Sequence, residues 1–164
     1  MAREKTHGKI SPMASSLRKL SMVQVDVFTD RALTGNSLAV FLDGRGLSTE
    51  NMQDLAREMN LSETTFILPG EAGAEKDRGV RVRIFTVQEE LPFAGHPTLG
   101  TAFVLRGETG APEIRLDLNV GTVPVRFTDQ GAKPAFAEMT QKDPEFGALH
   151  SVDDVARLTN LSAG

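Results

Sequence analysis

Residues 90–105 read ELPFAGHPTLGTAFVL and join a polar, glycine-bearing turn to a nearly unbroken apolar run. The pattern predicts a helix over residues 97–106, with Pro97 at its first position, where a missing N–H costs nothing. Apolar residues lie on nearly all its sides, so other elements should enclose it, with Leu99, Ala102, Phe103 and Leu105 inside. No serine or aspartate caps this helix. Its free N–H groups and its dipole therefore make a ready anion site. Gly95 would let a ligand approach the backbone closely, and His96 can donate a hydrogen bond beside it. Spacing alone supports two readings equally, a carboxylate pocket or a tight strand-to-helix turn.

Upstream of that stretch, MVQVDVFT sets Val23, Val25 and Val27 on one face of a strand, and SLAVFLD is apolar enough for a strand buried on both faces. Ser48 should cap a helix with Glu50 in its first turn. Met52, Leu55, Ala56 and Met59 form the stripe that faces a core, and Asn60 is a left-handed stop. ETTFILP is a third strand, GEAGAEKDRG a solvated loop, and VRVRIFT a half-exposed fourth strand. Downstream, EIRLDLNVGTVPVRFT reads as a hairpin turning near Val120 and Gly121. FAEM adds a short strand, and SVDDVARLTNL begins a helix capped by Ser151. Strands outnumber helices, and no internal repeat is evident. The fold class is α+β, a mostly antiparallel sheet rolled round a central helix.

Glu63 is the second candidate for chemistry, because a carboxylate opens an apolar strand there. Desolvation favours the neutral form of such a group, which suits general acid–base work. The plainer reading is an exposed glutamate at a strand end. Ser62 and Thr64 read first as local hydrogen-bonding groups. Glu89 and Glu90 read most simply as a solvated pair. Gly44-Arg45-Gly46 lacks the third glycine of a dinucleotide site.

Composition narrows the classes further. A net charge of -4 gives no field for nucleic acid, and no apolar run is long enough to span a membrane. Zero Cys removes disulfides, thiolate metal sites and thiol catalysis. His7, His96 and His150 are too scattered to suggest zinc. No metal and no cofactor is expected, and the expected location is cytoplasmic. Residues 1–21 are basic and polar, and are expected to form a disordered leader, since Glu4 and Pro12 spoil an amphipathic targeting helix.

Together, VDVFT, GNSLAV, AREMNLSETTFIL, RIFT and ELPFAGHPTLGTA fall in an order that resembles the PhzF-like phenazine-biosynthesis isomerases. The resemblance runs over residues 23–127. It implies one half of a diaminopimelate-epimerase-like fold, with an active site between two similar halves. It also implies that Glu63 is catalytic, shuttling a proton between carbons of a small cyclic carboxylic acid. Ser62, Gly95 and His96 would hold that substrate. Ser37 and Val87 stand where the family commonly has proline. On this basis residues 22–132 are expected to be the N-terminal half-domain and residues 133–164 a truncated start of the second. Partners would then be the substrate and either a second copy or a missing half-domain. The competing expectation is a non-catalytic binding or scaffold domain that keeps the fold.

Overall fold

A computed structural model describes residues 18–70, 72–107, 110–130 and 133–161. The first strand β1 (Met22–Val27) turns back antiparallel onto β2 (Asn36–Phe41), with Val25 opposite Leu38. Helix α1 (Thr49–Met59) then crosses over to β3 (Glu63–Leu68), which lies parallel to β2. A parallel neighbour cannot be reached by a tight turn, and α1 supplies the crossover. After α2 (Ala72–Arg78), β4 (Val80–Phe85) runs antiparallel to β3, and the short β5 (Glu90–Leu91) pairs with β4. Helix α3 (Gly95–Arg106) is the second crossover, leading to β6 (Glu113–Leu118) parallel to β4. The meander β6, β7 (Gly121–Gln130) and β8 (Lys133–Met139) ends the sheet, and α4 (Val152–Thr159) follows.

Along the sheet the order is β1-β2-β3-β4-β6-β7-β8. Among the described residues, only the β2–β3 and β4–β6 pairings are parallel. Helix α3 touches β1, β2, β3, β6 and β8, strands drawn from both ends of that order, so the sheet is rolled round it. The core inside the roll contains Leu38, Val40, Ile67, Val82, Ile84, Ala102, Leu116 and Val125. Gly100 allows the close approach: a Cβ there would stand 2.8 Å from both Leu38 Cδ2 and Val27 Cγ2. The outer face of the sheet has a smaller core, where Met52 and Ala56 of α1 cover Phe41, Phe66 and Phe85. Phe66 stacks on Phe41 at 4.8 Å and meets Phe85 edge-on at 5.5 Å. Successive residues of β3 therefore serve different layers, Thr65 and Ile67 toward α3 and Phe66 toward α1.

Several expectations change in the structure. Helix α3 starts at Gly95, two residues before the expected position, and Pro97 is its third residue. That is still within the first turn, where an N–H has no intrahelical partner. Phe103 is 45% exposed, and Leu99 and Leu105 are only partly buried, whereas Ala102 is fully enclosed. The rolled sheet is open, with β1 and β8 as its edges, and cannot cover a helix on every side; Phe103 keeps a tilted contact with Phe127. The stretch expected to be a solvated loop contains α2. Ala, Glu, Lys and Arg favour a helix there without any apolar stripe to announce it. The β6–β7 turn is Asn119 and Val120, one residue earlier than expected, because Leu118 pairs with Gly121.

At the chain ends, residues 1–17 of the expected leader lie outside the described residues. Leu20 packs on the outer core, and the Ser21 carbonyl accepts the Leu42 N–H at 3.0 Å. Strand β8 carries the same sheet past residue 132 by pairing with β7. Among the described residues, no helix is long and apolar enough to cross a membrane.

Candidate active site

Glu63 and His96 reach one place from different elements. Asn60 stops α1 in the left-handed conformation, with its N–H bonded to the Ala56 carbonyl at 3.1 Å. Leu61 and Ser62 carry the chain to Glu63, the first residue of β3, which pairs with Leu38 of β2. Helix α3 begins beside it, with Ala94 at the N-cap position and no side-chain capping bond. The first bond of that helix runs from the Thr98 N–H to the Ala94 carbonyl at 3.3 Å, and Thr98 Oγ1 donates to the same carbonyl at 2.7 Å.

Glu63 Oε2 lies 3.3 Å from His96 Nε2, and the two side chains are 17% and 10% exposed. The separation is that of an ion pair, but the orientation is not that of a hydrogen bond. Among the described residues both atoms are buried without a hydrogen-bond partner. A buried polar atom without a partner is costly, so this contact is an unusual place to find two. Burial pushes the His96 imidazole below its ordinary pKa of 6.5, and the Glu63 charge pulls partly the other way. At neutral pH the ring therefore faces the carboxylate largely uncharged.

Of the four residues singled out in the sequence, Glu63, Gly95 and His96 thus gather at the open start of α3. Ser62 adjoins Glu63 in the chain and is exposed. A Cβ at Gly95 would make ordinary contact, at 3.4 Å, with the tip of Met139, so the protein's own packing does not demand glycine there. No group of three or more His, Asp or Glu side chains that could hold a metal ion occurs among the described residues.

The β1–β2 loop stands at the same end of the sheet as Glu63, since Val27 pairs with Asn36, two residues before Leu38. The Asp26 carboxylate accepts the Leu33 N–H at 2.6 Å and the Ser37 hydroxyl at 2.9 Å. Ser37 thus helps tie this loop. Phe28 and Leu33, both exposed, are held at φ 63 and 64.

Glu90 is not the solvated residue its neighbour Glu89 suggests. It receives two bonds from the Arg83 guanidinium, at 2.8 and 2.5 Å, and one from Asn119 Nδ2 at 3.0 Å. Arg83 in turn donates to Thr49 Oγ1 at the start of α1, at 3.0 Å. The hydrogen bonds from Arg83 hold the Glu90 carboxyl below the usual range. An alternating strand such as VRVRIFT hides this pairing, because a period of two looks the same whether the arginines meet water or a carboxylate. A groove of about 330 Å³, lined by Phe93, Val120, Val123, Pro124 and Lys142 among others, reaches the segment between β5 and α3 through Phe93. Neither Glu63 nor His96 lines it.

A rolled α+β half with a strand-end carboxylate at the uncapped start of its central helix defines the class of protein. The chain belongs to the phenazine biosynthesis-like protein family, whose model matches residues 25–162. It is 47% identical over 122 residues to a trans-2,3-dihydro-3-hydroxyanthranilate isomerase of Pseudomonas aeruginosa, covering 74% of this chain and 42% of the relative. An isomerase of the same name from Pseudomonas chlororaphis is 43% identical, with 85% of this chain and 49% of the relative covered. Among solved structures, a predicted epimerase of Pseudomonas aeruginosa superposes with a TM-score of 0.75 at 40% identity, over 88% of this chain and 52% of that one. A PhzF-family phenazine biosynthesis protein of Bacillus anthracis gives 0.70 at 28% identity, over 90% and 49%. The chain spans about half the length of the curated relatives it matches.

Proposed function

We propose that this chain carries one wall of an isomerase site in which Glu63 moves a proton between two carbons of a small cyclic carboxylic acid. The observation that carries the reading is the approach of Glu63 Oε2 to His96 Nε2, both buried and both without a hydrogen-bond partner. Proton transfer between carbons needs one base close to the ring and an anchor for the rest of the substrate. The Glu63 carboxylate takes a proton from one carbon, and the freed electron pair shifts through the conjugated ring. The Glu63 carboxyl then returns the proton to a second carbon, so substrate and product are isomers and nothing is oxidised or reduced.

The anchor in this reading is the start of α3. The N–H groups of Gly95 and His96 lie in the first turn of a helix with no side-chain cap, where an anion is stabilised. Glycine at 95 keeps the approach to those groups clear, which its own packing does not require. A neutral His96 donates one hydrogen bond to the substrate without drawing the Glu63 charge into a fixed salt bridge. Ser62 lies at the rim and adds a hydroxyl to the same end. The wall facing these groups comes from outside the described residues, as further chain or as a second copy.

A second reading, binding without turnover, is favoured by coverage, because the chain spans only 42–49% of the named isomerases. One experiment separates the two. The name of these relatives makes trans-2,3-dihydro-3-hydroxyanthranilate the first compound to try, with the chain and with the longest protein its gene encodes. Glu63→Gln should abolish turnover while leaving the fold intact, since the amide keeps the shape and loses the transferable proton. His96→Gln should chiefly raise KM. Turnover retained in Glu63→Gln overturns the acid–base role, and binding with no turnover in any form of the wild type supports the second reading.

A further inference from the structure

Two polar contacts join β3 to α3, and they are consecutive rungs of one interface. The first is Glu63 against His96 at 3.3 Å; the second is Thr65 Oγ1 against Thr101 Oγ1 at 2.9 Å. Glu63 and Thr65 are two residues apart on β3, about 6.6 Å at the rise of a strand. His96 and Thr101 are five apart on α3, about 7.5 Å at the rise of a helix. The rungs are thus nearly matched in axial spacing, although five helical residues also turn about 140° round the helix axis. Thr65 and Thr101 are both 0% exposed, in a roll whose core is otherwise built from Leu38, Val40, Ile67 and Ala102. Gly100, next to Thr101, brings the helix against Leu38 and Val27.

Apolar burial resists separation of the two elements but has no direction, so it resists sliding poorly. A hydrogen bond weakens steeply with distance and angle, and inside an apolar core it has no solvent to replace it. The Thr65–Thr101 bond therefore fixes α3 along its own axis. The upper rung does not do this for itself, because Glu63 and His96 approach without the alignment of a hydrogen bond.

We propose that the Thr65–Thr101 hydroxyl pair is the positioning element of the site, setting the axial register of α3 against β3 and so the separation of Glu63 from the helix start. Its effect on turnover rests on the acid–base reading of Glu63; its effect on the Glu63–His96 contact does not. Neither threonine touches substrate in this account. Thr65→Val leaves the Thr101 hydroxyl buried without this partner, while Thr101→Val leaves Thr65 Oγ1 only its long bond to the Ala39 carbonyl, at 3.5 Å, and each single variant should lose stability. The double variant replaces both hydroxyls with methyl groups of similar shape and should regain most of that stability. The apolar contact then remains without its directional lock.

The test follows the His96 ring resonances by NMR as pH changes, in the full chain with and without Glu63→Gln. In the wild-type background, removing the Glu63 charge should lower the His96 midpoint. In the Thr65→Val/Thr101→Val background the shift should be clearly smaller, although the thermal midpoint is restored. Thr65→Ser, which keeps the hydroxyl, should preserve the full shift. Where turnover is measured, the double variant should lose about 10- to 100-fold in kcat with KM little changed. A stable double variant with an undiminished Glu63-dependent shift overturns the proposal. Should the double variant not fold, Thr101→Ala makes the same comparison in a residue that suits a helix, and an undiminished shift there is equally decisive. If Glu63→Gln retains turnover, the acid–base reading fails, while the coupling measurement still decides this one.

Discussion

Helix α1 begins at Ser48 and ends at a left-handed Asn60; helix α4 begins at Ser151 and ends at Asn160 in the same conformation. In each, the serine side chain accepts an N–H three residues on, from Asn51 and from Asp154, and the terminal asparagine N–H returns to Ala56 or Ala156. Ala56-Arg57 and Ala156-Arg157 precede the two stops, and Leu-Ser follows both. The correspondence is confined to the caps and a short terminal motif, and the two helices differ in length, 11 residues against 8. Their surroundings differ completely. Met52 of α1 is 1% exposed against Phe66 and Phe85, whereas Val152, Val155 and Leu158 of α4 are 69%, 47% and 88% exposed. Caps and amphipathic spacing are therefore enough to specify a helix, and they say nothing about whether a sheet lies beneath it.

The contrast is sharpest under truncation. Met52→Ala should cost about 2–5 kcal/mol in urea unfolding, through lost burial and the cavity left between α1 and β3. Val155→Ala should stay within about 0.5 kcal/mol, as for an exposed position. Equal losses at the two sites would mean that α4 is covered in solution. Assembly gives a related measure, since adjacent exposed apolar side chains on α4 should promote self-association. Val155→Lys together with Leu158→Lys should shift the light-scattering mass toward the monomer; a wild type that is already monomeric at high concentration would remove that expectation.

Smaller effects are expected at the caps. Ser48→Ala should cost about 0.5–2 kcal/mol of global stability. Ser151→Ala should leave the global midpoint in place and instead speed amide exchange within α4, because that helix can open without the rest. A global loss of equal size from both substitutions would show that the helices unfold as one unit.

The pH dependence is the most modest effect and belongs to the buried region. His96 has its pKa lowered by burial from an ordinary 6.5. The unfolded chain therefore binds more protons than the folded one as pH falls through 6.5 toward the lowered value. Stability should decline across that window, and His96→Gln should flatten the decline. Glu90, lowered chiefly by hydrogen bonds from Arg83, acts at more acidic pH. Its contribution is present above the unfolded carboxylate value and lost as pH falls through the folded one. Glu90→Gln should reduce that second, more acidic loss in a thermal-midpoint series, with Asp43 and Glu50, both also lowered, accounting for what remains.

Much was legible in the sequence because it is local. Alternating valines gave β1, the Met52, Leu55, Ala56 and Met59 stripe gave α1, and Ser48, Asn60, Ser151 and Asn160 marked their helix ends by capping chemistry that acts within four residues. The uncapped start near Gly95 and the carboxylate at Glu63 were likewise visible as local oddities, each with a plain alternative. What tertiary structure decided is what depends on partners distant in the chain. It set Glu63 3.3 Å from His96, paired Thr65 with Thr101 and placed Glu90 under Arg83. It left Phe103 partly outside an open roll and α4 with its apolar face exposed. The physical reason is the same in each case. Backbone propensity and capping are fixed by near neighbours, whereas burial and polar pairing depend on which elements the rolled sheet brings together, information that no short window of sequence contains.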